Sequence, residues 1–109
     1  MTSTKYTSCE VEGGGKVFLK NTDDGEKFKI IEMSAEEIKI KTSMQLELDT
    51  IVDLKIILNS ILFNIDIDAM GKVVEKLEST DKYRIELMGL SDEAKEEIDE
   101  IMLSACNLI

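Results

Sequence analysis

The sequence predicts a mainly-β domain of six antiparallel strands closed by one C-terminal α-helix. Three observations carry this. Apolar and polar residues alternate with period two in segment after segment from about Lys27 to Met88, the mark of half-buried strands. Asn21-Thr22-Asp23-Asp24-Gly25 carries the Asp-Gly pair that supplies the positive backbone angle of a tight hairpin. After Ser91 the apolar period lengthens: Ala94, Ile98, Ile101, Met102 and Ala105 share one face at helical spacing. A chain of 109 residues is one domain, and one of this size buries roughly two-thirds of its unfolded surface.

The elements follow in order. Residues 1–15 are polar, without period, and end in Gly13-Gly14-Gly15; they read as a flexible lead-in to the folded strands and helix of 16–109. Lys16-Val17-Phe18-Leu19-Lys20 is a short strand. Beyond the hairpin turn come Lys27-Phe28-Lys29-Ile30-Ile31 and Ile38-Lys39-Ile40-Lys41-Thr42. Ser34-x-x-Glu37 between them matches a helix capping box, but the residues that follow alternate, so a turn is expected. Met44 to Leu48 has no clear period. Val52 to Leu58 is a strand, and Asn59-Ser60 a short connection. Leu62 to Leu77 is a long or bent strand, with Phe63, Ile65 and Ile67 on one side and Asn64, Asp66 and Asp68 on the other. Gly71 within it signals a bulge or a close backbone approach. Tyr83 to Met88 is the last strand. Ser91 then caps a helix over about 91–106, with Asp92 and Glu93 at the positive end of its dipole.

Composition excludes several functions. The formal charge is −10, which repels a phosphodiester backbone and an anionic membrane, and the sequence shows no basic cluster to offset it. The plain reading of that charge is solubility, and the sharper one is an acidic docking face for a basic partner. No apolar run reaches the roughly 18 residues of a membrane span. Met1 to Lys5 lacks the apolar core of a signal peptide, so a cytoplasmic protein is expected. Cys9 and Cys106, near opposite ends, are then expected to be unpaired thiols; a disulfide requires the termini to meet. With no histidine and no Cys-x-x-Cys, no zinc site is expected.

Catalytic chemistry finds no foothold. Asp66 and Asp68 form a carboxylate pair on one strand face, but without a nucleophile or histidine beside them they read as a solvated face. Ser34 has no base to activate it. Aligned on Gly25, a calcium loop would begin at Lys20, which cannot coordinate a cation. Gly13-Gly14-Gly15-Lys16 lacks the spacing and following helix of a phosphate loop. Tyr6 and Tyr83 form no stacking platform at strand spacing.

The order of elements resembles the PilZ domain, a six-stranded antiparallel β-barrel with a C-terminal helix. Phe28 to Ile40, Val52 to Ile56, Met70-Gly71-Lys72-Val73-Val74, and Tyr83 to Leu87 leading into Leu90-Ser91-Asp92-Glu93-Ala94 carry the resemblance. PilZ domains are bacterial receptors for cyclic di-GMP. An Arg-x-x-x-Arg segment before the first strand clasps the nucleotide, and an Asp-x-Ser-x-x-Gly turn contacts it. A dianionic ligand with two guanines calls for guanidinium forks. This sequence departs from the pattern. Ser8 to Lys16 contains no arginine, and Arg84 is the only one in the chain. The turn reads Glu32-Met33-Ser34-Ala35-Glu36-Glu37, with Glu37 at the glycine position. A degenerate ligand site would use Lys5, Lys16, Glu32 and Ser34, yet lysine cannot reproduce a bidentate fork.

The resemblance therefore implies a regulatory module of cyclic di-GMP signalling. The expected role is a non-catalytic adaptor for a protein of a motility, pilus or exopolysaccharide system; the alternative is a receptor using the degenerate site. No cofactor is expected beyond that nucleotide. Leu103, off the main apolar stripe of the helix, and Leu108 and Ile109 at the chain end are candidate partner contacts.

Overall fold

A computed structural model describes residues 6–20, 22–59, 64–77 and 81–106. The alternating segments form β1 (Gly13–Leu19), β2 (Gly25–Met33), β3 (Glu37–Thr42), β4 (Ile51–Asn59), β5 (Asn64–Lys76) and β6 (Lys82–Met88), followed by α1 (Asp92–Ala105). The strands close into a barrel in the order β1-β2-β3-β6-β5-β4, every pair antiparallel. Closure leaves no open sheet edge. The expected six-stranded antiparallel barrel with one C-terminal helix is thus the observed architecture.

The period of two sorts the side chains. Val52, Leu54, Ile56 and Leu58 of β4 point inward and are buried, while Asp53, Lys55 and Ile57 face out. Val17, Phe28, Ile38, Ile40, Val73 and Ile85 complete the interior from the other strands. A bulge between Ile30 and Glu32 resets the alternation in β2, so Ile30 and Met33, three apart, are both buried. Leu46, in the irregular stretch after β3, is also buried, and its N–H donates to the Tyr83 hydroxyl at 3.2 Å.

Two expectations need correction, and one, at Gly71, resolves between its two alternatives. Gly13-Gly14-Gly15 is no flexible lead-in; it begins β1 and pairs with both β2 and β4. Gly13 and Gly15 hold φ of 157° and 154°, and a β-carbon at either would strike the carbonyl of Ile57 or Lys55. The glycines are there because β4 lies against them. In β5 the irregularity falls between Val73 and Glu75, not at Gly71. Gly71 is the close approach: a β-carbon there would collide with Ile85. Thirdly, Cys9 and Cys106 are paired as a disulfide, with Cα atoms 6.2 Å apart. Cys9 forms a bridge with Met33 at the end of β2, and α1 returns the chain to the same place. The segments at Cys9 and Cys106 do meet, which sequence separation alone conceals.

Helix α1 covers the barrel end that carries the β2–β3 turn. Ser91 caps it by accepting the Ala94 N–H at 3.1 Å. Ile98 and Met102 are buried in one apolar cluster with Cys9, Met33 and Ala35. The Thr7 N–H donates to Asp99 Oδ1 at 2.7 Å, tying the N-terminal segment to the helix. Ala105, expected on the apolar face, is exposed. No helix among the described residues is long and apolar enough to cross a membrane. The connection at Ser60, together with Leu62 and Phe63, lies outside the described residues.

Candidate functional site: a closed serine turn and a lysine band

The turn between β2 and β3 is built around Ser34. Its Oγ accepts the backbone N–H groups of Glu36 and Glu37 at 3.1 and 3.2 Å, and its own N–H donates to the Glu37 carbonyl at 2.8 Å. These are the bonds a capping serine would make, here closing a turn with no helix after it. Ser34 is 1% exposed, so its hydroxyl is a structural pin beneath the surface. Glu32 points outward and pairs with Lys39 at 3.0 Å. Glu37 accepts from Arg84 Nη1 at 2.9 Å, and Glu75 accepts from Arg84 Nε at 2.8 Å. The hydrogen bonds to Glu75 and then to Glu37 raise the Arg84 pKa, so the only guanidinium of the chain is a fixed cation held by two carboxylates.

Lys16 lies elsewhere. It is exposed on β1, opposite Lys27 of β2 on one side and Lys55 of β4 on the other. From Lys27 to Ser34 the chain runs roughly 20 Å along the strand, well beyond a lysine's reach. The fold therefore does not bring Lys16 together with Glu32 and Ser34. Lys5 lies outside the described residues, as do Leu108 and Ile109. Leu103 is half-buried on α1.

Sequence reading missed a cluster that only strand register creates. Lys55, Lys16 and Lys27 form one row across β4, β1 and β2. Lys29, Lys41 and Lys82 form another across β2, β3 and β6. Lys41 also approaches Asp81 at 3.8 Å. Lys16 and Lys55 stand alone in their strands, and Lys27, Lys29 and Lys41 alternate with apolar residues, so no run of basic residues announces the band. The expectation of no basic cluster is corrected here: the acidic charge is not spread evenly. Glu93, Glu96, Glu97 and Glu100 are exposed on α1, away from these rows. Among the described residues, no group of three or more acidic or cysteine side chains is arranged to hold a metal ion.

No protein-family model matches the sequence, and no curated protein matches it. Solved structures do match. The Bacillus subtilis inhibitor of motility MotI/DgrA superimposes with a TM-score of 0.77 at 11% identity, over 95% of this chain and 51% of that one. The PilZ domain of YcgR from Escherichia coli, solved with c-di-GMP, superimposes with a TM-score of 0.69 at 10% identity, over 95% of this chain and 92% of that one. The chain has a PilZ-like fold. It spans about half the length of the MotI/DgrA chain. In this PilZ-like fold Ser34 closes the β2–β3 turn, and the Glu37 carboxylate that follows grips Arg84.

Proposed function

We propose that this chain is a PilZ-like regulatory module of bacterial cyclic di-GMP signalling that acts as a non-catalytic, cytoplasmic adaptor. It would bind a protein partner, through a surface that includes its acidic helix, without holding the nucleotide in the family's usual way. One observation carries this reading: the turn that would meet the nucleotide is closed on itself. Ser34 is buried with its oxygen occupied by two backbone donors, and Arg84 is committed to Glu37 and Glu75. A dianion approaching that turn would meet Glu37 and no free fork. The likeness to MotI/DgrA, an inhibitor of motility, supports a partner in a motility, pilus or exopolysaccharide system. Leu103, Leu108 and Ile109 remain proposed partner contacts.

Calorimetric titration with cyclic di-GMP tests the adaptor reading. No heat in the submicromolar range is expected, and submicromolar binding would overturn it. The lysine band favours a second reading, in which the barrel wall, not the turn, receives the nucleotide. In that case Lys16→Ala would abolish the binding. Glu32→Gln and Ser34→Ala would show whether the degenerate site takes part. No enzymatic role is proposed.

A further inference from the structure

On the wall away from the serine turn, one cross-strand row holds three large apolar side chains and one carboxylate. Phe18 of β1 lies opposite Asp53 of β4, Asp53 opposite Met70 of β5, and Met70 opposite Met88 of β6. All four face outward. Met70 and Met88 are 40% and 36% exposed, among the most exposed large hydrophobic residues described. Phe18 is half-buried, and Gly25 beneath it leaves room for the ring. The β1–β2 connection at Thr22 and Asp23 and the β6–α1 connection at Gly89 and Leu90 raise the sides of this row into a groove of about 540 Å³.

The charges around the groove are predominantly negative. Asp23, Asp53 and Asp68 line it, against the single ammonium of Lys55. Among the described residues, no ion pair or side-chain hydrogen bond occupies these three carboxylates. Large apolar side chains interleaved with Asp53 and flanked by Asp23 and Asp68 reject a nucleotide and fit a cationic, apolar segment. A second copy of this chain brings its own −10 charge to the contact. Two adjacent methionines suit such a surface, because the unbranched thioether side chain repacks around different shapes.

We propose that this groove is the docking site for a basic amphipathic segment of a partner protein, one large apolar side chain seated between Met70 and Met88 and flanking lysines or arginines paired with Asp53 and Asp68. This rests on the adaptor reading and names the face that performs it.

The test is methyl NMR on the full chain with a synthetic peptide alternating lysine with leucine and phenylalanine. The Met70 and Met88 methyl signals should shift, while those of buried Met33 and Met102 stay in place. Asp53→Lys combined with Asp68→Lys should weaken binding by about tenfold or more. Glu10→Lys with Glu47→Lys changes net charge equally at exposed sites away from the groove and should leave it within about twofold. All these substitutions are at surface positions, and an unchanged spectrum elsewhere verifies folding. No shift at Met70 and Met88 up to millimolar peptide, or equal weakening by both double variants, would overturn the assignment. Shifts confined to α1 would also overturn it while leaving the adaptor reading intact. Submicromolar cyclic di-GMP binding would remove the adaptor reading without moving the peptide result.

Discussion

Arg84 Nη1 lies 2.9 Å from Glu37 Oε2, joining β6 to the first residue of β3. Glu37 also stands directly opposite Glu86, so the guanidinium offsets a like-charge cross-strand pair. Both partners are about one-third exposed, so water screens the attraction and it contributes about 1 kcal/mol or less. Arg84→Gln is expected to lower the melting temperature by several degrees. The sign with pH is fixed by the raised Arg84 pKa: the contribution is present below the unfolded-state value and is lost only as pH rises through the folded one, beyond the ordinary alkaline range. The deficit of the variant should therefore be the same at pH 6 and pH 9, measured by thermal unfolding.

Lys16 sits between Lys27 and Lys55, an arrangement that costs stability unless something anionic meets it. Lys16→Glu replaces two repulsions with two attractions. It should stabilise the barrel by roughly 0.5–1 kcal/mol at low ionic strength, and the gain should shrink in about 1 M salt. Denaturant melts at both salt concentrations decide this.

Gly71 packs with no room for a side chain. Gly71→Ala would press a methyl group into Ile85 and against the Glu86 carbonyl, at a cost of about 1–3 kcal/mol. The midpoint of urea unfolding should fall with little change in slope.

Tyr83 is 1% exposed, and its hydroxyl accepts the Leu46 N–H within the barrel. Tyr83→Phe removes that acceptor from a buried donor. A loss of about 1–3 kcal/mol is expected, together with faster hydrogen exchange of the Leu46 amide.

The Cys9–Cys106 bond closes a loop across a sequence separation of 97 residues. Reduction, or Cys9→Ser with Cys106→Ser, should cost about 2–4 kcal/mol by releasing unfolded-state entropy. Scanning calorimetry with and without a thiol reductant measures it; identical melts would mean that the cysteines are not paired in solution.

Much of the scaffold was legible residue by residue. Whether a residue faces in or out along a strand is a period-two property of its neighbours, so β3, β4 and β6 could be read almost to their ends. The Ser91 cap and the Ile98–Met102 stripe are likewise local, and they located α1. Gly13 to Gly15 misled because glycine in a sequence signals freedom, whereas here it signals the nearness of Ile56 to Leu58 in β4, far on in the chain. The bulge at Val73 carries no sequence mark, since the residues on either side fit an unbroken strand.

What the chain alone settled was the order, type and facing of its elements, because these depend on contacts within a few residues. What only the closed barrel decided was which outward residues became neighbours: the lysine rows, the Phe18–Met70–Met88 groove, the union of Cys9 with Cys106 and the capture of Arg84. The rows, the groove and the capture of Arg84 depend on register between strands far apart in sequence, and a shift of one residue in pairing would dissolve each of them while leaving the composition unchanged. The cysteine union depends on α1 returning to the end of β2.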